Sequence, residues 1–195
     1  ALTLDLGLKA QQVLTFGVDL PDKRYPQDRA LRFFDDLLER LRHSPGTAAA
    51  GAVGTLPMTG GFSGSGFEIE GRAAPADWME LTTQINEATP DYFAAMGIPL
   101  LHGRPFLTGD TTAAARVVAI DQAFVREYLP KGDPIGRRIR TTRGEWSTII
   151  AVVGDIRSQK PSHPAVPMIY RPHTQAGGVR WVVVRSTQDS ASLAA

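Results

Sequence analysis

The sequence predicts an α+β domain in which a strand-helix-strand unit is followed by a large block of short strands and short helices. Three observations carry this. An amphipathic stretch at about 28–43 lies between strand-like runs at 13–21 and 47–57. From 58 to 175, short alternating or apolar runs are broken repeatedly by glycine and proline. A further β-branched run follows at 181–186.

In chain order, "VLTFGVDLP" mixes β-branched and aromatic residues and closes on a proline, which suits a strand. Leu31, Phe34, Leu38 and Leu41 then recur at three- and four-residue steps, with Phe33 and Leu37 widening the stripe, until Pro45 and Gly46 stop the helix. "TAAAGAVGTLP" fits a buried strand whose small residues let that helix lie close. "MTGGFSGSG", from Met58 to Gly66, is expected to be a loop, with Phe62 and Phe67 as exposed aromatics able to reach a partner. "FEIEG" and "MELTTQINEAT" alternate as strands do.

In "TPDYFAAMGIPLLHGRPF", Thr89 is the expected N-cap, Pro90 occupies the first helical position and Gly97 ends a helix of about two turns. So short a helix gains its order only by packing, so Tyr92, Phe93, Gly97 and Pro99 are expected to form a structural anchor. A strand at about 116–120, a helix at about 121–129, and a hairpin turning at Arg143 and Gly144 follow. "MIYRP" and "RWVVVRS" are two further strands separated by a loop, "HTQAGG".

Composition removes several functions. The chain has 21 basic and 20 acidic residues, so no global field draws it to nucleic acid. With no cysteine there are no disulfides and no thiolate chemistry. The apolar runs "IIAVVG" and "WVVV" fall far short of the roughly 20 residues that a membrane-spanning helix needs. Both ends look cut from a longer chain: Ala1 replaces an initiator methionine, and "DSASLAA" begins a helix without completing it.

Motifs for chemistry are missing. "GGFSGSG" matches neither a phosphate-binding loop, nor a dinucleotide fingerprint, nor a nucleophile elbow. His43, His102, His163 and His173 show no shared metal-ligand spacing and are expected to be solvated or on loops. Asp121, Asp133 and Asp155 stand at strand ends or turns, where an aspartate ordinarily caps backbone N–H groups. "RRIRTTR" is expected to be a solvated hairpin face, with a phosphate or headgroup contact as the alternative. No catalytic, cofactor or metal residue is assigned. The competing reading is a hydrolase, metal-assisted or not, using scattered groups such as Asp155 with His163 or His173. A nucleic-acid module lacks both the basic excess and the stacking aromatics.

The order of these segments, with Pro-Asp-Tyr-Phe-x-x-x-Gly-Ile-Pro at 90–99 and Asp-Pro-Ile-Gly at 133–136 as its most specific pieces, resembles the MacB-like periplasmic core domain of ABC transporter permeases in the MacB/FtsX superfamily. The resemblance covers about Val13 to Ser186. It implies a periplasmic, non-enzymatic domain of a cytoplasmic-membrane protein: a porter-like strand-helix-strand subdomain whose first half is expected at 1–57, an inserted mixed α/β, sabre-like subdomain at 58–175, and the start of a truncated porter-like second half at 176–195. It further implies that the domain links ATP-driven movement of the permease's transmembrane helices to a substrate or adaptor protein outside. The implied partners are those helices, an ABC ATPase, a periplasmic adaptor and a second copy in a homodimer.

Overall fold

The computed structural model describes residues 12–59, 61, 63–73, 81–142, 144–156 and 164–187. Among them the order is β1 (Val13–Gly17), α1 (Gln27–Arg42), β2 (Thr47–Val53), β3 (Ser63–Ile69), β4 (Thr82–Ala88), α2 (Tyr92–Met96), β5 (Leu100–Gly103), β6 (Val117–Asp121), α3 (Gln122–Tyr128), β7 (Arg138–Thr141), β8 (Ser147–Val153), β9 (Met168–Pro172), α4 (His173–Ala176) and β10 (Trp181–Ser186). The fold is α+β and dominated by sheet.

Two bodies of sheet emerge from the pairing. The first is β1-β10-β2, antiparallel throughout, so β10 from the end of the chain is inserted between the two strands that flank α1. The second is a closed circuit: β4 pairs β3, β3 pairs β7, β7 pairs β8, β8 pairs β6, β6 pairs β9, and β9 returns to β4. β2 and β4 join the two at the Val53–Ala88 pair, with Gly54 N–H donating to Glu87 O at 2.9 Å beside it. Among the described residues β5 pairs with β8 alone.

The side-chain period of two distributes each strand over two cores. Along β2, Ala50 and Ala52 face Phe34 and Leu38 of α1, while Val53 packs on the other side with α2. Along β10, Val182 and Val184 face α1 and Val183 faces α2. The same alternation holds in the circuit, where Val118, Ile120, Ile149, Val152 and Ile169 fill the interior with Phe67 and α3. Val117, Ala119, Ala151, Val153, Met168 and Tyr170 turn outward onto α2. Strands buried on both faces read as unbroken apolar runs, which is why "VVAI" and "IIAVV" show little alternation. A bulge at Ile150, where the β6–β8 register shifts, is the one place in β8 where the alternation slips.

The structure corrects several expectations. Ser63–Gly66 is the first half of β3, paired with Ile85, Gln84, Thr83 and Thr82, because β4 offers a complete ladder to this glycine-rich backbone. Phe67 is 2% exposed, in an aromatic trio with Phe124 and Tyr128 at centroid distances of 4.9 and 4.8 Å, so it cannot contact a partner. Phe62 and His163, like the terminal residues 188–195, lie outside the described residues. "HTQAGG" opens with the one-turn helix α4. Thr89 does not cap α2: its hydroxyl accepts a hydrogen bond from Ala52 N–H at 2.8 Å, across the junction to β2.

Candidate functional site: the junction helix

The five-residue helix α2 lies where the two bodies meet, and each of its ends is held by a different one. At its start, Thr89 and Ala52 exchange two hydrogen bonds, Thr89 N–H to Ala52 O at 2.9 Å and Ala52 N–H to Thr89 Oγ1 at 2.8 Å. There the helix backbone presses on β2 at Gly51, where an ideal Cβ would stand 2.5 Å from Tyr92 N and 2.6 Å from Tyr92 Cα. Only glycine leaves room for that approach. The alanines of "TAAAGAV" thus serve α1, and the glycine between them serves α2.

At its end, Gly97 takes the left-handed conformation (φ 70°), its N–H bonds Ala94 O at 3.1 Å, and Ile98 N–H bonds Phe93 O at 2.8 Å. This is a Schellman stop, and Phe93 and Ile98 share the same apolar cluster, the contact that usually accompanies it. Pro99 then seats on the circuit: Gly154 N–H donates to Pro99 O at 2.9 Å, and a Cβ on Gly154 would lie 2.8 Å from Pro99 Cδ. β10 reaches the helix as well, since Arg185 Nε donates to Ala95 O at 2.9 Å.

The filling is aromatic. Phe93 stacks edge-on against Tyr170 at 5.0 Å and Tyr92 at 5.5 Å, and meets Phe106 at 6.0 Å. Tyr92 is fully buried, its hydroxyl has no hydrogen-bond partner among the described residues, and burial raises its pKa strongly. The structure therefore brings Tyr92, Phe93, Gly97 and Pro99 together at one junction. Gly51, Gly154 and Arg185, which complete it, carry no sequence motif of their own.

The titratable groups have structural partners. Asp121 Oδ1 accepts from Phe124 N–H at 2.8 Å and Met168 N–H at 3.1 Å, Asp133 accepts from Ile135 N–H at 2.9 Å, and Asp155 accepts from Ala123 N–H at 2.5 Å and pairs with Arg126 at 2.6 Å. His173 is buried, not solvated: it opens α4, and its Nε2 meets Asp35 of α1 at 3.2 Å while Nδ1 has no partner among the described residues. Asp155 and His173 thus have separate partners. His43 and His102 are exposed. No group of three or more His, Asp or Glu that could hold a metal occurs among the described residues. In the basic hairpin, Arg138 pairs with Glu70, just past the end of β3, at 2.9 Å, Arg140 pairs with Glu68 of β3 at 2.8 Å, and both flank Trp146, which neutralises much of that face.

Burial pushes the Asp121 carboxyl up to about 7, against the two N–H bonds that favour its charged form; the Asp155 charge adds to the rise and Arg126 opposes it. A folded pKa above the unfolded one means that this group's stabilisation is complete below about 4, and is lost as pH rises through about 7. Asp121→Asn keeps an acceptor for both N–H groups, so its stability relative to wild type should be greatest at pH 8 and should fall as the pH drops toward 5. Urea midpoints at the two pH values check this. Burial depresses His173, whose contribution runs the other way and is present in both proteins, so the difference isolates the carboxyl.

The class defined by this architecture is a sheet-dominated α+β module in which buried Thr83, Asn86, Thr89 and Asp121 bond backbone groups of neighbouring elements. The family model for the MacB-like periplasmic core domain matches residues 11–195, and the chain belongs to that family. It is accordingly an extracytoplasmic domain of an ABC transporter permease, in a family of transporter domains with no known enzyme activity. The fold is similar to the periplasmic region of MacB from Actinobacillus actinomycetemcomitans, with a TM-score of 0.60, 16% identity, and 96% of this chain and 80% of that one covered. It is also similar to the extracellular domain of the noncanonic ABC-type transporter YknZ from Gram-positive bacteria, with a TM-score of 0.54, 14% identity, and coverage of 91% and 83%. At these identities the likeness is one of fold. No curated protein matches the chain. No helix among the described residues is long and apolar enough to cross a membrane.

Proposed function

We propose that this domain carries ATP-driven motion of the permease's transmembrane helices to a substrate or an adaptor protein outside the membrane, and that it does so as one rigid body. On this reading β1-β10-β2 with α1 is the porter-like part, 1–57 and 176–195, and the six-strand circuit is the sabre-like insert, 58–175. The observation that carries it is the shared core around α2: Val53 and Val183 of the first body and Ala119, Val153 and Tyr170 of the second pack on the same helix. A lever of this kind needs a stiff joint, because motion absorbed at the joint never reaches the partner. Tyr92, Phe93, Gly97 and Pro99 supply that stiffness as the anchor. The assembled transporter pairs two such permease domains and engages an ABC ATPase.

The domain has no cysteine of its own, so two dyes can be placed on it once any cysteines elsewhere in the permease and in its ATPase are replaced. With Glu39→Cys on α1 and Glu127→Cys on α3 in the membrane-reconstituted permease and its ATPase, adding nucleotide should change the distance of each dye from the bilayer and leave the distance between the dyes unchanged. A nucleotide-dependent change between the dyes would refute the rigid-body reading.

A further inference from the structure

Away from the junction helix, a cleft of about 420 Å³ opens between the start of α1, the start of β6, the β7–β8 hairpin and α4. Its volume falls within the range of small-molecule sites, but its lining is polar: Gln27, Arg116, Thr141, Glu145, Arg171 and Gln175 among others. We infer that this cleft binds a small polar molecule through a carboxylate group held between Arg116 and Arg171.

Both guanidinium groups are fixed and incompletely used. Arg116 Nη1 donates to Gln175 O at 3.0 Å and its Nε to Glu145 at 2.7 Å, which leaves Nη2 without a partner among the described residues. Arg171 places Nε and Nη2 on Glu87, leaving Nη1 without a partner among the described residues. Gln175 is a strut: Oε1 accepts from Val117 N–H at 3.1 Å, and Nε2 donates to Thr111 O and Ala115 O at 3.1 and 3.0 Å. The cleft wall therefore does not have to be ordered when a ligand arrives, which removes a cost of binding. The planar fork of arginine matches a carboxylate's two oxygens.

Charge selects the ligand class. Glu87 is mostly buried and balances Arg171, whereas Glu145 is 70% exposed, and an exposed pair of this kind holds weakly. A monoanionic carboxylate can take the place of Glu145 on Arg116 with no net change in charge at the arginines, which a phosphate dianion cannot. The Thr141 hydroxyl and the Gln27 amide have no hydrogen bond to the described residues and lie in the same lining, ready for hydroxyl or amide groups on the rest of the molecule. Binding here is independent of whether the domain transmits motion.

The test is a titration of the full 195-residue chain followed by its amide NMR spectrum, with galacturonate, galactose and inorganic phosphate as probes. Galacturonate should bind with a Kd of about 1 mM or tighter, shifting signals around Arg116, Thr141 and Arg171. Arg116→Gln and Arg171→Gln should each weaken it at least about tenfold, and Arg116→Lys, which keeps the charge and loses the fork, by several-fold. Unchanged signals outside the cleft show that a variant is folded; Thr141→Ala, which removes no ion pair, should weaken binding in a chain whose fold is least at risk. No saturable shift with galacturonate, equal binding of galactose, tighter binding of phosphate, or full affinity in folded arginine variants would each overturn the inference.

Discussion

Gly51→Ala should lower the unfolding free energy by about 3 kcal/mol, the upper end of ordinary overpacking penalties, because the new methyl meets backbone and not the yielding end of a side chain. At roughly 2–4 °C per kcal/mol for a chain of this size, the melting temperature should drop by about 6–12 °C. The contact responsible is the 2.5 Å approach of an ideal Cβ to Tyr92 N. α2 can relieve it only by lifting from β2, which would also stretch both Thr89–Ala52 hydrogen bonds. Gly109→Ala, where a Cβ would meet nothing within 4 Å, is the control and should stay within about 0.5 kcal/mol of wild type.

The second large effect is at the aromatic pair. Tyr92→Ala and Phe93→Ala should each cost about 3–5 kcal/mol, read from denaturant midpoints. The rings touch at 5.5 Å, so the double variant should lose less than the sum of the two. Tyr92→Phe should be neutral or slightly stabilising. Its hydroxyl is buried with no partner among the described residues, so removing it relieves a desolvation cost and breaks no hydrogen bond seen there. The contrast between alanine and phenylalanine at one position separates the value of the ring from that of its polar tip.

How much was legible in the sequence follows from the range of the forces involved. Local signals placed most elements well: the Leu31-Phe34-Leu38-Leu41 stripe marks α1 to within a residue at each end, and Gly97 marks the stop of α2. Where a tertiary partner supplied the order, local chemistry misled. Ser63–Gly66 has loop composition but is a strand because β4 lies beside it, and Phe67 is core for the same reason. His173 is buried because Asp35, 138 residues away, provides a partner for Nε2. The closing of the circuit by a parallel β4–β9 pair had no local signal either, since parallel partners are distant in sequence. At the junction, the aromatic half of α2 announced itself, whereas Gly51 and Gly154 are small residues whose importance exists only once another backbone approaches them. The cleft is a stronger case of the same limit, because Arg116 and Arg171 share it through folding alone.

The most direct measurement of the central claim is the relative orientation of the two bodies in solution, from residual dipolar couplings of backbone amides in two alignment media. If α2 welds β1-β10-β2 to the six-strand circuit, one alignment tensor fits both sets of amides in each medium. Should the two sets demand tensors of different magnitude, the joint bends, and the domain cannot be the rigid transmitter described here.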